Sequence, residues 1–184
     1  ARPLSVHRIY RDFRAQGLSV GKDVLYSMMA GLEDAFLIRG VSLATDSKRR
    51  RNSNPRRYYP ADTGLIGAYD RSGKTNLGHA LETVVLHELD RRRMEIGYVL
   101  TPGGFEVDFL ARDAAGKETL VQVSADLAEA NTLSRELRAL DDAAEVHPSA
   151  DKLLLVLQAD QLPAETPDDI RILPAWQWLL TRSD

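Results

Sequence analysis

The 184-residue chain contains no cysteine, so it has no disulfide framework, no thiol nucleophile and no cysteine-ligated zinc. No apolar run approaches the ~20 residues that a membrane-spanning helix needs. The first five residues lack the apolar core of a signal peptide. These absences argue against a membrane protein and against a disulfide-stabilised secreted protein, and we expect a cytoplasmic location.

The composition is that of a folded protein, because 43% of the residues are hydrophobic and 28% are charged. The length suits one large domain or two small ones. The sequence begins without methionine, in a segment that already has the pattern of a helix. We therefore expect it to be a fragment of a longer protein.

Charge is divided unevenly along the chain. Residues 1–75 carry 14 Lys and Arg against 7 Asp and Glu, a net of +7, whereas residues 76–184 carry 10 against 20, a net of −10. This contrast indicates two domains with these boundaries and with different partners, the basic one favouring phosphate groups. The alternative is that the two halves attract each other.

The first domain starts with two helical patterns, over residues 6–13 and 24–32. Ser5 is a candidate N-cap for the first helix, which we expect to end at Gly17. A short connection over residues 18–21 leads to the second helix. Helix, tight turn, helix is typical of a helix-turn-helix, whose second helix would be offered to a DNA groove.

Two extended stretches follow, over residues 36–43 and 57–60, and the turn-rich segment between them has no apolar period. This layout predicts the β-wing of a winged helix-turn-helix. The cationic side chains expected to contact nucleic-acid phosphates are Lys48, Arg49, Arg50, Arg51, Arg56 and Arg57. A solvated loop, a loop docked on the acidic half and a protein–protein contact remain alternatives, because the second helix is not itself basic.

The second domain, residues 76–184, combines helices with a mixed sheet. The predicted elements are a helix over residues 76–93, strands over 94–100, 105–110 and 120–124, a helix over 131–145, strands over 151–157 and 170–173, and a helix over 176–180. In the strand over 105–110, we expect Glu106 and Asp108 to lie on the face opposite the apolar residues. Helix, three-strand meander, helix and strand is the core order of the restriction-endonuclease-like α/β (α+β) fold.

Active nucleases of that fold bring acidic residues and a lysine together around a divalent metal, which activates water. Here Glu82 lies in the first helix and Asp108 on the second strand, so both are candidate Mg²⁺ ligands. Gln122 on the third strand keeps an oxygen ligand and completes the catalytic candidates. Ser124 stands where the lysine is needed, which argues against hydrolysis. The alternative is a structural hydrogen-bonded pair or a solvated polar face.

Residues 72–75, Ser-Gly-Lys-Thr, resemble the end of a phosphate-binding loop. The full pattern requires glycine where Ala68 stands, and the loop does not follow a continuous β-branched strand. We therefore expect that this chain does not bind ATP by itself.

Six short segments together carry a resemblance to a known family: residues 31–37, 59–65, 78–82, 106–109, 121–124 and 134–137. In this order they resemble the C-terminal half of prokaryotic AAA+ ATPases, the domain of unknown function numbered 4143. The resemblance implies a winged helix joined to a degenerate restriction-endonuclease-like domain, with an ATP-binding ATPase module upstream as its partner. It places Glu82, Asp108 and Gln122 at the metal-site positions and Ser124 at the lysine position.

These observations predict a non-catalytic C-terminal region of an AAA+-type ATPase that engages DNA or a protein partner. One alternative is a Mg²⁺-dependent DNA nuclease of the PD-(D/E)xK type, acting through Glu82, Asp108 and Gln122. A further alternative is a structural or oligomerisation module.

Overall fold

The computed structural model describes residues 6–69, 76–127, 130–163 and 165–181. The chain divides into two units, residues 1–74 and 75–184. The described residues form a mixed α/β structure with seven strands and seven α-helices. None of these helices combines the length and apolar character needed to cross a bilayer. Ser5 and the loop over residues 72–75 lie outside the described residues.

Unit 1 contains two longer helices, a two-stranded sheet and two short helices. In chain order these are α1 (Val6–Ala15), α2 (Lys22–Asp34), β1 (Ile38–Leu43), α3 (Lys48–Ser53), β2 (Arg57–Pro60) and α4 (Gly64–Tyr69). The strands β1 and β2 pair antiparallel. Helix α1 packs against α2, and α2 packs against β1. The buried core of the unit includes Leu25, Val41 and Tyr59.

Each of the two longer helices of unit 1 is followed by a residue in the left-handed backbone conformation, where the chain changes direction. Gly17 occupies this position after α1 with φ 78°, and the N–H of Leu18 reaches back to the carbonyl of Phe13. This confirms the helix end expected at Gly17. Phe36 occupies the same position after α2 with φ 56°. A side chain is strained there, whereas glycine is not.

The segment between β1 and β2 differs from the expected loop, because residues 48–53 form the helix α3. The side chain of Ser47 caps this helix, with Oγ accepting the backbone N–H of Arg50 at 3.3 Å. Helix α3 buries none of its residues. Apolar periodicity reports a buried face, so it cannot detect a helix that has none.

Unit 2 follows the predicted order of helices and strands. Its elements are α5 (Leu77–Arg91), β3 (Glu95–Leu100), β4 (Glu106–Arg112), β5 (Glu118–Ser124), α6 (Ala130–Ala144), β6 (Asp151–Val156), a 3₁₀ turn (Ala159–Gln161), β7 (Ile170–Pro174) and α7 (Ala175–Leu180). The strands lie in the order β3-β4-β5-β6-β7. Neighbours pair antiparallel up to β5 and parallel from β5 to β7.

Helices cover the central strands of unit 2. Helix α5 packs against β3, β4 and β5, and α6 packs against β4, β5 and β6. Strand β6 is therefore buried along residues 153–156, which explains its continuous apolar run. Polar residues of β4, β5 and α6 meet inside this core.

Candidate functional site

The cationic residues expected to contact phosphate fall into two groups. Four are consecutive and exposed on helix α3: Lys48, Arg49, Arg50 and Arg51. Successive residues of an α-helix are rotated by about 100°, so these side chains point in all directions around the helix axis. No carboxylate among the described residues forms an ion pair with them. We call these four residues the basic helix cluster.

Arg56 and Arg57 form the second group, and both are engaged with other parts of unit 1. The Arg56 guanidinium forms a two-point ion pair with Glu33, with N···O distances of 2.6 and 2.9 Å, and also donates to the carbonyl of Gly40 at 2.9 Å. Arg57 is only 1% exposed. The Arg56 side chain remains 37% exposed, so only Arg57 is withdrawn from the surface, and phosphate contact by these two residues stays a prediction.

A groove of about 710 Å³ lies beside α3 in unit 1. Its polar and aromatic lining includes His7, Tyr26, Ser42, Arg51, Asn52 and Tyr58. Tyr26 is 51% exposed. Burial is the main factor that raises the pKa of Tyr58, so its phenol stays neutral at physiological pH. Sequence reasoning overlooked both tyrosines. The signal for Tyr58 was available, since it alternates in β2 with the fully buried Tyr59.

In unit 2, strand β4 carries a bulge at Asp108. Gly97 pairs with Leu110 and Val99 pairs with Val107, so Asp108 and Phe109 both lie opposite the single residue between them on β3. A bulge interrupts alternation and redirects a side chain. Asp108 is accordingly buried, with 8% exposure.

Asp108 and Gln122 meet where β4 and β5 separate. The ladder between these strands is regular up to Phe109 opposite Val121. Beyond that pair, the backbone N–H groups of the two strands donate to side-chain oxygens instead of backbone carbonyls. The Oε1 atom of Gln122 accepts the N–H of Asp108 at 3.1 Å, and Oδ2 of Asp108 accepts the N–H of Val123 at 3.0 Å. The two candidate site residues are thus brought together as expected.

Glu136 of α6 joins this pair, although the sequence did not identify it as a site residue. The Nε2 atom of Gln122 donates to Oε2 of Glu136 at 2.6 Å. Oε1 of Glu136 accepts from Arg135 at 2.7 Å. Gln122 and Glu136 are both buried. We call Asp108, Gln122 and Glu136 the carboxylate–amide cluster.

Glu82, the other expected metal ligand, is buried on α5, the helix that packs against β4 and β5. Its negative charge acts on His79, one turn earlier on the same helix. Burial lowers the pKa of His79, and the charge of Glu82 partly offsets that effect. His79 is therefore neutral at physiological pH.

The lysine position of the nuclease pattern is occupied by Ser124, whose hydroxyl donates to the carbonyl of Asp126 at 3.0 Å. Carboxylate and amide oxygens are suitable ligands for Mg²⁺. Among the residues that the structure describes, however, no group of three or more His, Cys, Asp or Glu side chains is arranged to hold a metal ion. A site based on Glu82 and Asp108 would need Gln122 as its third side-chain ligand.

Comparison with protein-family models, curated proteins and solved structures gave no match to this chain. The kinship with the C-terminal half of AAA+ ATPases stays a prediction that rests on the sequence segments themselves.

Proposed function

We propose that this chain is a nucleic-acid-binding region without nuclease activity of its own, belonging to an AAA+-type ATPase. The observation that carries the proposal is the basic helix cluster. Four adjacent cations lie exposed on α3, and none is paired with a carboxylate of the described residues. A dense, accessible cationic group attracts a polyanion and releases its counterions.

Several cations of unit 2 are engaged in ion pairs within the protein. Arg112 pairs with Glu118 at 2.6 Å, and Lys117 pairs with Asp151 at 2.8 Å. Lys152 lies between Asp141 and Asp169. The cations of the basic helix cluster have no such carboxylate partners among the described residues, which supports their availability to an anionic ligand. Because its side chains radiate around the helix axis, the contacts should be to phosphates and tolerant of sequence.

The chemistry of the carboxylate–amide cluster supports the absence of hydrolysis. The side-chain oxygen of Gln122 and one oxygen of Asp108 already accept backbone N–H groups. No lysine stands at position 124 to stabilise the charge that develops on a cleaved phosphate. The hydrogen bonds of this cluster instead close the end of the β4–β5 ladder.

The proposal is tested by titrating a labelled DNA duplex with the protein at several salt concentrations. The variant Arg49→Ala/Arg50→Ala should weaken binding at low salt and reduce the slope of log K against log salt by about 0.9 for each phosphate that the protein no longer neutralises. The control Arg11→Ala/Arg14→Ala removes the same charge from exposed positions of α1 and should retain most of the affinity. An equal decrease in affinity in both double variants would contradict local binding at α3. Absence of binding at low salt would favour a structural or protein-partner role.

A Mg²⁺-dependent nuclease is the second candidate, favoured by the pairing of β4 with β5 that places Asp108 beside Gln122. In this mechanism Glu82, Asp108 and Gln122 would hold the metal ion, which would activate water, and Arg135 is the cation that reaches the cluster, through Glu136. The test is incubation with supercoiled plasmid and Mg²⁺ or Mn²⁺. The matched variant is Asp108→Asn, because its side-chain oxygen can still accept the N–H of Val123. Cleavage by the wild type that this variant abolishes would overturn the non-catalytic proposal.

A further inference from the structure

The groove beside α3 has a composition different from that of the basic helix cluster. Two tyrosine rings line it, Tyr26 from α2 and Tyr58 from β2. A single cation of the cluster, Arg51, reaches the same groove, and Asn52 adds a side-chain amide. The exposed Tyr26 ring and the partly buried Tyr58 ring stand beside a guanidinium and an amide. Aromatic rings, guanidinium groups and amides are the groups that recognise unpaired bases, through stacking and base-edge hydrogen bonds.

The Tyr58 ring is held in position by a neighbouring cation. The guanidinium carbon of Arg56 lies 5.4 Å from the centre of the Tyr58 ring, and Arg56 itself is fixed by its ion pair with Glu33. Arg56 therefore fixes the position of Tyr58 in the groove wall. Arg51 has no carboxylate partner among the described residues, and it donates one N–H to the carbonyl of Thr45 at 2.6 Å. A guanidinium has five N–H donors, so Arg51 can also bind a phosphate.

We propose that this groove binds a single-stranded segment of nucleic acid, with bases stacked on Tyr26 and Tyr58 and a backbone phosphate on Arg51. This inference rests on the proposed nucleic-acid binding of α3 and assigns its substrate class. The volume of about 710 Å³ falls within the range of about 300–1,000 Å³ that is typical of ligand clefts.

A single strand fits these side chains better than a duplex does. In a duplex the base faces are stacked on one another, and only base edges and phosphates are accessible. Tyrosine rings in a groove can stack only on bases that are unpaired. The basic helix cluster would then bind the backbone on either side of the groove, without reading the sequence.

The experiment compares three labelled nucleic-acid probes, each about 12 nucleotides long. This length lies within the site sizes known for single-strand-binding grooves. The probes are oligo(dT), an oligomer of the same phosphate count whose positions are abasic, and a mixed-sequence duplex. Fluorescence anisotropy of the full 184-residue chain at low salt gives the affinities. Oligo(dT) should bind at least about 5-fold more tightly than the abasic oligomer, because only oligo(dT) can stack.

Tyrosine variants then show which rings stack on the bases. Tyr26→Ala and Tyr58→Ala should each weaken oligo(dT) binding by about 5- to 150-fold and leave the abasic oligomer unchanged. Tyr26→Phe and Tyr58→Phe keep the rings and should retain the affinity for oligo(dT). Since Tyr26 is half exposed, Tyr26→Ala provides the test that does not depend on the packing of Tyr58. Arg49→Ala lies outside the groove lining and should weaken binding of all three probes.

The failure of this inference differs from the failure of the proposed function. Equal affinity for oligo(dT) and the abasic oligomer would overturn base stacking in the groove and leave phosphate binding by α3 in place. Unchanged oligo(dT) affinity in both tyrosine-to-alanine variants would overturn the assignment to this groove. If none of the three probes binds, both proposals are overturned.

Discussion

Gln122 donates its side-chain amide to a carboxylate oxygen of Glu136 at 2.6 Å, and both residues are buried. The same amide group accepts the N–H of Asp108 through its oxygen. Gln122 thus uses a donor and an acceptor at once, which a carboxylate at this position could not do when ionised. The neutral amide at the third-strand position is therefore matched to Glu136.

Substitution of Gln122 should destabilise unit 2. Gln122→Ala removes a partner from two buried groups, at about 1–3 kcal/mol for each group left unsatisfied. Gln122→Glu places two carboxyl groups within hydrogen-bond distance, so one of them must take up a proton on folding. That shared proton raises the folded-state pKa of the pair, so the variant should be more stable at pH 5 than at pH 7 relative to the wild type. Urea unfolding at both pH values measures this. The exposed Gln177→Glu is the control, and an equally small effect at both positions would contradict the prediction.

A side chain at Gly40 should displace a neighbouring ion pair. A Cβ atom there would lie 2.5 Å from an Arg56 nitrogen and 2.7 Å from a Glu33 oxygen, both at the ends of flexible side chains. Gly40→Ala should therefore displace this ion pair and lower the free energy of unfolding by about 0.5–1.5 kcal/mol. Gly31 is the matched control, because it lies in α2 and a Cβ atom there meets nothing within 4 Å. Gly31→Ala should raise the stability by about 0.5–1 kcal/mol. Thermal unfolding of both variants shows whether the two substitutions differ in sign.

Glu118 should contribute stability that disappears in acid. Burial alone would raise its pKa, but hydrogen bonds from Arg112 and His147 outweigh burial and hold the pKa below its ordinary value of 4.5. Because the folded-state pKa is the lower one, the contribution is complete above pH 4.5 and is lost as the pH falls through the folded-state pKa. Glu118→Gln should cost about 1–3 kcal/mol at pH 7, and this cost should decrease as the pH falls below 4.5.

The neighbour Glu95 offers the control for Glu118. It contacts the same Arg112 at 3.3 Å, but its side chain is 75% exposed. Glu95→Gln should change the stability by less than about 0.5 kcal/mol at either pH, since exposed ion pairs contribute little. Denaturation curves at pH 3 and pH 7 compare the two variants. Equal effects would contradict the role assigned to burial and to His147.

Two helix ends should become more stable with glycine. Phe36 and Arg93 occupy left-handed positions at φ 56° and 58°, where a side chain is strained by about 1–2 kcal/mol. The Phe36 ring is 84% exposed, so its removal forfeits little burial. Phe36→Gly and Arg93→Gly should each gain about 0.5–1 kcal/mol after allowance for the greater freedom of glycine in the unfolded chain. Gly17→Ala should instead lower the stability. Calorimetric melting of the three variants measures these changes.

The regular part of the fold could be predicted from the sequence because it depends on burial. Strand β6 is a continuous apolar run, and α5 presents an apolar face, so both patterns follow directly from packing. Helix α3 could not be predicted in this way, since it buries nothing. The burial of Arg57 was also missed, because a charged residue inside a basic segment is ordinarily exposed.

The sequence could predict only those parts of the candidate site in which strand pairing places two residues next to each other. Asp108 and Gln122 were placed together correctly, because adjacent antiparallel strands set their positions. The bulge at Asp108 and the partner Glu136 depend on how β3 and α6 pack, which local pattern does not encode. The groove tyrosines come from elements far apart in the chain, α2 and β2, so only the folded unit brings them together.

The placement of charge in α3 has a consequence for how this helix responds to its surroundings. Lys48 and Arg49 stand in its first turn, where the backbone dipole already presents partial positive charge and disfavours cations. The helix has no buried face to compensate, so repulsion between its cations lowers its stability. Added multivalent anions should tighten this turn, and dilution of the buffer should loosen it. The conformation of the segment is therefore coupled to the ionic environment that its own charges attract.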